Sequence, residues 1–168
     1  MMDYQTAVRG AFFDIAGVAE TPDEVAAQAR YLDDGLLFLQ EGKIIALLPW
    51  QEGEAFLHPL KGYVDLRGKL LLPGFVDAHV HYPQTEMIGA FGEQLLEWLT
   101  TYTFPVESQF ADAEYAQEIA QFFVNQLISH GTTTALVFCT LHPASVEALF
   151  SEAPVSYTHL RAHETSLH

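Results

Sequence analysis

For its first seventy positions the chain alternates short apolar runs with turn residues. Residues 7–18 (AVRGAFFDIAGV) and 35–48 (GLLFLQEGKIIALL) are two such runs. Glu41-Gly42 divides the second, and glycine takes positive φ without steric cost, so the pair predicts a tight hairpin. Between the runs, TPDEVAAQARYLDDG predicts a loop or short helix, with Thr21 as N-cap and Pro22 at the first helical position. Residues 63–72 (YVDLRGKLLL) predict another hairpin-like pair around Arg67-Gly68. Residues 1–72 therefore predict a small antiparallel β layer.

After Pro73-Gly74 the periodicity changes. FVDAHVH predicts a compact strand, and Asp112 to His130 (DAEYAQEIAQFFVNQLISH) predicts a helix. In it Tyr115, Ile119, Phe122, Phe123 and Leu127 recur at helical spacing, Asp112 caps the start and Gly131 follows the end. TTTALVF, residues 132–138, predicts a buried β-branched strand, and PASVEALF opens a further helix with Pro143 in its first turn. Strand, helix, strand, helix is the βαβ alternation of a parallel α/β fold. Residues 82–111 make an unusually long connection, with GEQLLEWL helical and TFPVESQF an extended turn. Ordinary βα loops run about 2–6 residues, so this one is a lid, a subunit contact or a structural excursion.

Composition narrows the function. The 168 residues are 49% hydrophobic, enough for a buried core, and 22 acidic against 7 basic residues give a net charge of −15. No Lys or Arg lies between Lys69 and Arg161. A nucleic-acid groove needs clustered cations to displace counterions, so nucleic acid is excluded as a partner, and anionic membrane surfaces with it. No apolar run approaches the roughly 20 residues of a membrane span, and MMDYQTAVRG lacks the layout of a signal peptide. A single cysteine, Cys139, excludes an internal disulfide and CxxC zinc chemistry, and suits a reducing cytoplasm. It reads as a small buried residue.

The candidate chemistry lies in GFVDAHVHYPQ, residues 74–84. Strand alternation puts Phe75, Asp77, His79 and His81 on one face and Val76, Ala78 and Val80 on the other. Two imidazoles at i and i+2 can meet one Zn²⁺ at about 2.0–2.1 Å each. Asp77 could then accept a hydrogen bond that orients the site. The alternative is a pair of ligand-free polar residues at a strand end. The preceding Pro-Gly, the apolar strand and Asp77 favour metal; imidazole suits iron as well as zinc. Elsewhere, His142 lines a pocket or simply occupies a loop. Glu93 and Glu97 form a carboxylate pair or a solvated helix face, and Trp98, Tyr102 and Phe104 read as packing.

PGFVDAHVH resembles the first-strand signature of the metal-dependent amidohydrolases. The longer phrases PGFVDAHVHYPQTEMIGAFGEQLLEWLTTYTFP and HGTTTALVFCTLHPASVEALF resemble the guanine deaminases of that superfamily, and the similarity covers about residues 7–152. The resemblance implies an α/β fold, a (β/α)₈ TIM-like barrel preceded by a small antiparallel β-sandwich layer. Residues 1–72 would belong to the sandwich, 73–153 to the first βαβα portion of the barrel, and 154–168 to a tail without family counterpart. It also implies zinc-dependent hydrolytic deamination of guanine to xanthine and ammonia, a small-molecule purine substrate, and a homodimer for the whole protein. His79 and His81 would be the first two zinc ligands, with Gln84 and His81 contacting the purine. On this expectation the barrel is truncated after two strands, which leaves strand two an unpaired edge and the chain inactive by itself. The remaining ligands and the general acid have no counterpart. A cytosine or aminotriazine deaminase, a chlorohydrolase, and a non-catalytic interaction module are the alternatives. The H-x-E and P-C-x-x-C pair of an unrelated class of zinc deaminases is absent. In the tail, His159, His163 and His168 read as a weak metal-binding tail or an artefactual end.

Overall fold

The computed structural model describes residues 2–92, 94–156 and 159–164, those beyond residue 153 as backbone. Backbone contacts divide the chain into two compact units, Met1–Pro73 and Gly74–His168.

The first unit is a four-stranded sheet of β1 (Thr6–Ile15), β2 (Ala29–Gln40), β3 (Lys43–Pro49) and β4 (Gly62–Leu71), in the order β3-β2-β1-β4. The β2–β3 hairpin turns at Glu41 and Gly42, whose φ angles of 50° and 73° are the left-handed pair that a two-residue hairpin loop demands. Helix α1 (Pro22–Gln28) begins with a full capping box, Thr21 and Glu24 satisfying each other's backbone N–H groups. It stops at Gln28, and the following ARYLDDG is already strand.

Two expectations are corrected here. The layer is mixed rather than antiparallel, because β4 runs parallel to β1, from Thr6↔Gly62 onward. A parallel neighbour needs a crossover of a dozen residues or more. Residues 50–61, carrying α2 (Trp50–Gly53) and a 3₁₀ turn at Glu54–Phe56, supply it. Gly62–Leu71 is one bulged strand, where a hairpin was expected of residues 63–72. Pairing jumps from Arg9↔Asp65 to Ala11↔Leu70, with Gly68 at φ 82° inside the bulge. Asp65 closes it by accepting from the Arg67 backbone N–H at 3.0 Å and from its guanidinium at 2.6 Å. Among the described residues this unit is one sheet, with a core of Tyr4, Ala7, Leu36 and Phe38.

The second unit has three parallel strands, β5 (Phe75–His81), β6 (Thr132–Cys139) and β7 (His159–Glu164), in that order. Helices α5 (Ala113–Ser129) and α6 (Pro143–Ser156) connect them. The expectation of two barrel strands with β6 as an open edge is therefore corrected. β6 is paired on both sides, the β7 register running from Thr134↔His159 to Cys139↔Glu164. Ladder bonds use backbone groups, so a proline-free segment can complete a sheet whatever its side chains. The side chains of His159 and His163 are not described, and His168 lies outside the described residues.

Helix α5 is capped by Asp112, which accepts from the backbone N–H groups of Glu114 and Tyr115, and Gly131 follows its end at φ 82°. Its buried stripe is Ala116, Ile119, Ala120, Phe123 and Val124, the i, i+3, i+4, i+7, i+8 set of one helix face. Tyr115 and Leu127 flank that stripe as expected. Phe122 lies off it and is 52% exposed. Cys139 is buried.

The long connection is helical over residues 82–87 and 95–111. After a 3₁₀ turn (Tyr82–Met87) come α3 (Leu95–Trp98), a π turn (Leu99–Thr103), α4 (Phe104–Ser108) and a 3₁₀ turn (Gln109–Ala111). The extended turn expected of TFPVESQF is thus corrected. Pro105 stands in the first turn of α4, where its missing N–H costs little. The wide π turn, closed by the Phe104 N–H on the Leu99 carbonyl, comes just before it. Among the described residues no helix is long and apolar enough to cross a membrane.

Two measurements test this account. Asp112→Ala removes the cap of α5 and should lower unfolding stability by about 1 kcal/mol, read from a urea transition. In the first unit, Lys61, Arg30 and Arg9, each by a hydrogen bond, hold Asp3, Asp14 and Asp34 below the usual carboxylate range, while Arg67 holds Asp65 down to about 2. Folded values below unfolded ones mean that the unfolded chain binds more protons in acid. Their contribution should be complete above about pH 4 and lost as pH falls through the depressed values. The urea midpoint should drop accordingly, and by less in high salt because the pairs are exposed.

Candidate active site

Strand β5 ends on the two imidazoles. His79 and His81 bring their Nε2 atoms to 3.0 Å of each other, and both rings lie against Phe138 of β6. The ring centroids are 4.4 Å and 4.8 Å from that of Phe138, with His81 stacked at 15°. His81 pairs with Phe138 across the β5–β6 ladder, which is how the stack arises. Partial burial, and secondly the neighbouring His79, push the His81 imidazole below its ordinary pKa. That favours the neutral ring, the form that ligates metal.

The 3₁₀ turn after β5 is clamped from below. Tyr82 and Pro83 are buried, and the Tyr82 hydroxyl donates to the Ser145 backbone carbonyl of α6 at 2.6 Å. The Tyr82 ring meets Phe110 edge-on at 5.2 Å and Phe123 at 5.7 Å. Burial drives its phenol well above the ordinary range. Thr85 donates its hydroxyl to the Tyr82 carbonyl at 2.6 Å, closing the turn. Gln84 stands between these anchors, its Nε2 3.5 Å from His81 Nδ1 and donating to Glu107 Oε1 at 3.3 Å.

Asp77 is placed differently from His79 and His81. The ladder register slips between Asp77 and Val80, which interrupts the alternation expected along β5. The Asp77 carboxylate accepts from the His79 backbone N–H at 3.1 Å. It fixes the strand's backbone, and among the described residues no ring nitrogen is bonded to it. His142 sits in the turn after β6 with its backbone N–H on the Thr140 hydroxyl at 3.2 Å. Glu93 lies outside the described residues.

A cavity of about 620 Å³ opens beside the imidazoles. His79, His81 and Gln84 form one wall, Met87, Ile88 and Trp98 come from the long connection, and Phe122, Phe123, Leu127 and His130 from α5 and its end. Trp98, expected to pack, does so with its indole N–H on the Ala90 carbonyl at 3.0 Å, and it also lines this space. His130 and Glu107 escaped the sequence reading. His130 carries no motif, and Glu107 stands within a segment read as extended.

The donor set is compatible with a metal ion. Two Nε2 atoms 3.0 Å apart can both lie about 2.0–2.1 Å from one ion. Among the described residues no group of three or more His, Cys, Asp or Glu side chains converges. A catalytic zinc takes three protein ligands or more, so the pair would supply two of them.

The amidohydrolase family profile matches residues 70–163. The chain belongs to the amidohydrolase family. That amidohydrolase match runs past residue 152, where the sequence resemblance ended, and takes in most of β7. The chain is 51% identical over 147 residues, 88% of its length, to the guanine deaminase of Escherichia coli K12. It spans 34% of that protein. Among solved structures it is similar to the E. coli guanine deaminase, with a TM-score of 0.89 and 48% identity over 95% of this chain and 37% of that one. A guanine deaminase from C. acetobutylicum with bound guanine in the active site gives 0.78 and 26% over 94% and 35%. The zinc-complexed atrazine chlorohydrolase TrzN from Arthrobacter aurescens gives 0.72 at 18% identity over 96% of this chain and 36% of that one, a likeness of fold alone.

The Tyr82 anchor makes a direct prediction. Tyr82→Phe keeps the ring cluster but removes the buried hydroxyl that donates to the Ser145 carbonyl. Unfolding stability should fall by about 1–2 kcal/mol, and the His81 ring signals should broaden in an NMR spectrum as the turn loosens.

Proposed function

We propose that this chain forms the first part of a guanine deaminase, a hydrolase that converts guanine and water to xanthine and ammonia. The observation that carries the reading is the Nε2 pair of His79 and His81, 3.0 Å apart at the C-terminal end of the first parallel strand. Active sites of (β/α)₈ barrels form at that end. The guanine deaminase relatives, at 51% identity over most of the chain, support guanine over the triazine and cytosine alternatives.

In this reading His79 and His81 are the first two ligands of a zinc ion. When bound, zinc supplies a Lewis acid that makes water a hydrolytic nucleophile near neutral pH. The chain's own residues hold and shape the site. Phe138 backs both imidazoles and keeps solvent from one side of them. Tyr82 fixes the turn, so Gln84 faces the ligand space from a constant backbone position. Its amide can give a donor and an acceptor to a purine edge. Asp77 holds the His79 backbone.

The test needs the rest of a catalytic frame. Residues 7–152 would replace the matching segment of the E. coli guanine deaminase, and xanthine formation would be followed with zinc or iron restored to the metal-free protein. The chimera should turn over guanine. His79→Ala or His81→Ala should lower kcat/KM at least about a thousandfold, because the metal's large depression of the water pKa is lost. The 168-residue chain alone should bind Zn²⁺ weakly by calorimetry and release no ammonia. A chimera that is active with both histidines replaced by alanine would end the proposal.

A further inference from the structure

Glu107 reaches the site from α4, 23 residues beyond Gln84 in sequence. Its Oε1 accepts from Gln84 Nε2 at 3.3 Å. A primary amide has two faces of opposite character, an NH₂ that donates and a carbonyl that accepts. An unrestrained glutamine turns between them at little cost, and then reads a ligand edge ambiguously. A carboxylate accepts and cannot donate, so Glu107 selects the orientation with the amide nitrogen toward itself. The carbonyl oxygen is then the part of Gln84 left to meet a ligand. The selection depends on fold as well as on sequence. The helical course of residues 104–108 turns Glu107 toward the turn after β5, while the buried Tyr82 and Pro83 keep that turn in place.

We propose that Glu107 is a positioning residue that locks the Gln84 amide with its carbonyl toward the ligand, so that the site selects a hydrogen-bond donor on the base edge. The inference rests on the guanine reading and deepens it. Guanine carries ring N–H and exocyclic NH₂ donors, whereas a purine analogue with a bare ring nitrogen at the same place would face the carbonyl lone pairs. Removing Glu107 leaves both ligands of the histidine pair and the Gln84 side chain intact. It should therefore weaken substrate binding and relax selectivity without touching the chemical step.

The kinetic arm uses the chimera described above, comparing the parent with Glu107→Ala and Glu107→Gln. Glu107→Ala should raise KM for guanine about tenfold, the worth of one oriented hydrogen bond, with kcat within about twofold. It should narrow the preference for guanine over the acceptor-bearing analogue as a competitive inhibitor. Glu107→Gln, whose own carbonyl can still accept from Gln84, should recover most of the loss. The second arm uses the 168-residue chain and its ¹H–¹⁵N side-chain amide signals. The Gln84 NH₂ protons should be displaced from the free-amide position and slow to exchange, and Glu107→Ala should abolish both. Identical Gln84 signals in the two proteins overturn the inference. So does a variant whose kcat and unfolding midpoint fall while KM holds, which would make Glu107 merely structural. A parent chimera inactive on guanine sinks the functional reading instead, and the amide signals then decide the Glu107 contact by themselves.

Discussion

The buried hydrogen bond from the Tyr82 hydroxyl to the Ser145 carbonyl ties the end of β5 to the first turn of α6. His81 precedes that tyrosine and Gln84 follows it by two residues, so one anchor sets the placement of both. The surrounding ring cluster of Tyr82, Phe110 and Phe123 supplies the apolar burial that makes the bond strong. Ser145 is committed from two sides. Its carbonyl accepts from Tyr82, and its hydroxyl accepts from the Thr140 backbone N–H at 3.0 Å, which fixes the turn leaving β6. Strand ends and helix starts are thereby welded into one layer beneath the imidazoles.

Elements whose signal is local were legible in the sequence. The Glu41-Gly42 hairpin, the Thr21 and Asp112 caps and the β5 and β6 strands all follow from residues within a few positions of one another. The elements that sequence misassigned depend on partners far away. Nothing within residues 63–72 says that the Arg67-Gly68 kink is a bulge; β1, lying parallel alongside, decides it. Nor does TFPVESQF show that Pro105 will sit in a first helical turn, since that follows from the π turn before it. Tail strand β7 is the extreme case, because it is held by backbone pairing, which leaves no mark in composition.

The candidate site divides along the same line. The His79–His81 juxtaposition was legible because period two is a property of any strand. Asp77 was not, because a slip in ladder register between Asp77 and Val80 is set by how β6 packs alongside. Its carboxylate ends on its own strand's backbone. Glu107 was invisible for a different reason. Its contact joins two turns of a connection whose path is set by the burial of Phe110, Thr103 and Met87 rather than by any repeating pattern.

How firmly an imidazole pair can be held on β5 is a matter of competing small terms. Among the described residues β5 has one ladder neighbour, and His79 is exposed. Two mobile rings would each lose roughly 1 kcal/mol of rotamer freedom on meeting an ion. Contact with Phe138 offsets this in advance, since an aromatic pair contributes about 0.5–1.5 kcal/mol beyond its area, and both rings make one. The cost that remains is electrostatic. Partial burial first, and His79 beside it second, disfavour protonation of the His81 ring. Both effects favour the neutral form of His81, the form that ligates metal. A phenylalanine on the neighbouring strand and a tyrosine one residue past the motif thus do the preorganising, while the two histidines provide the donors.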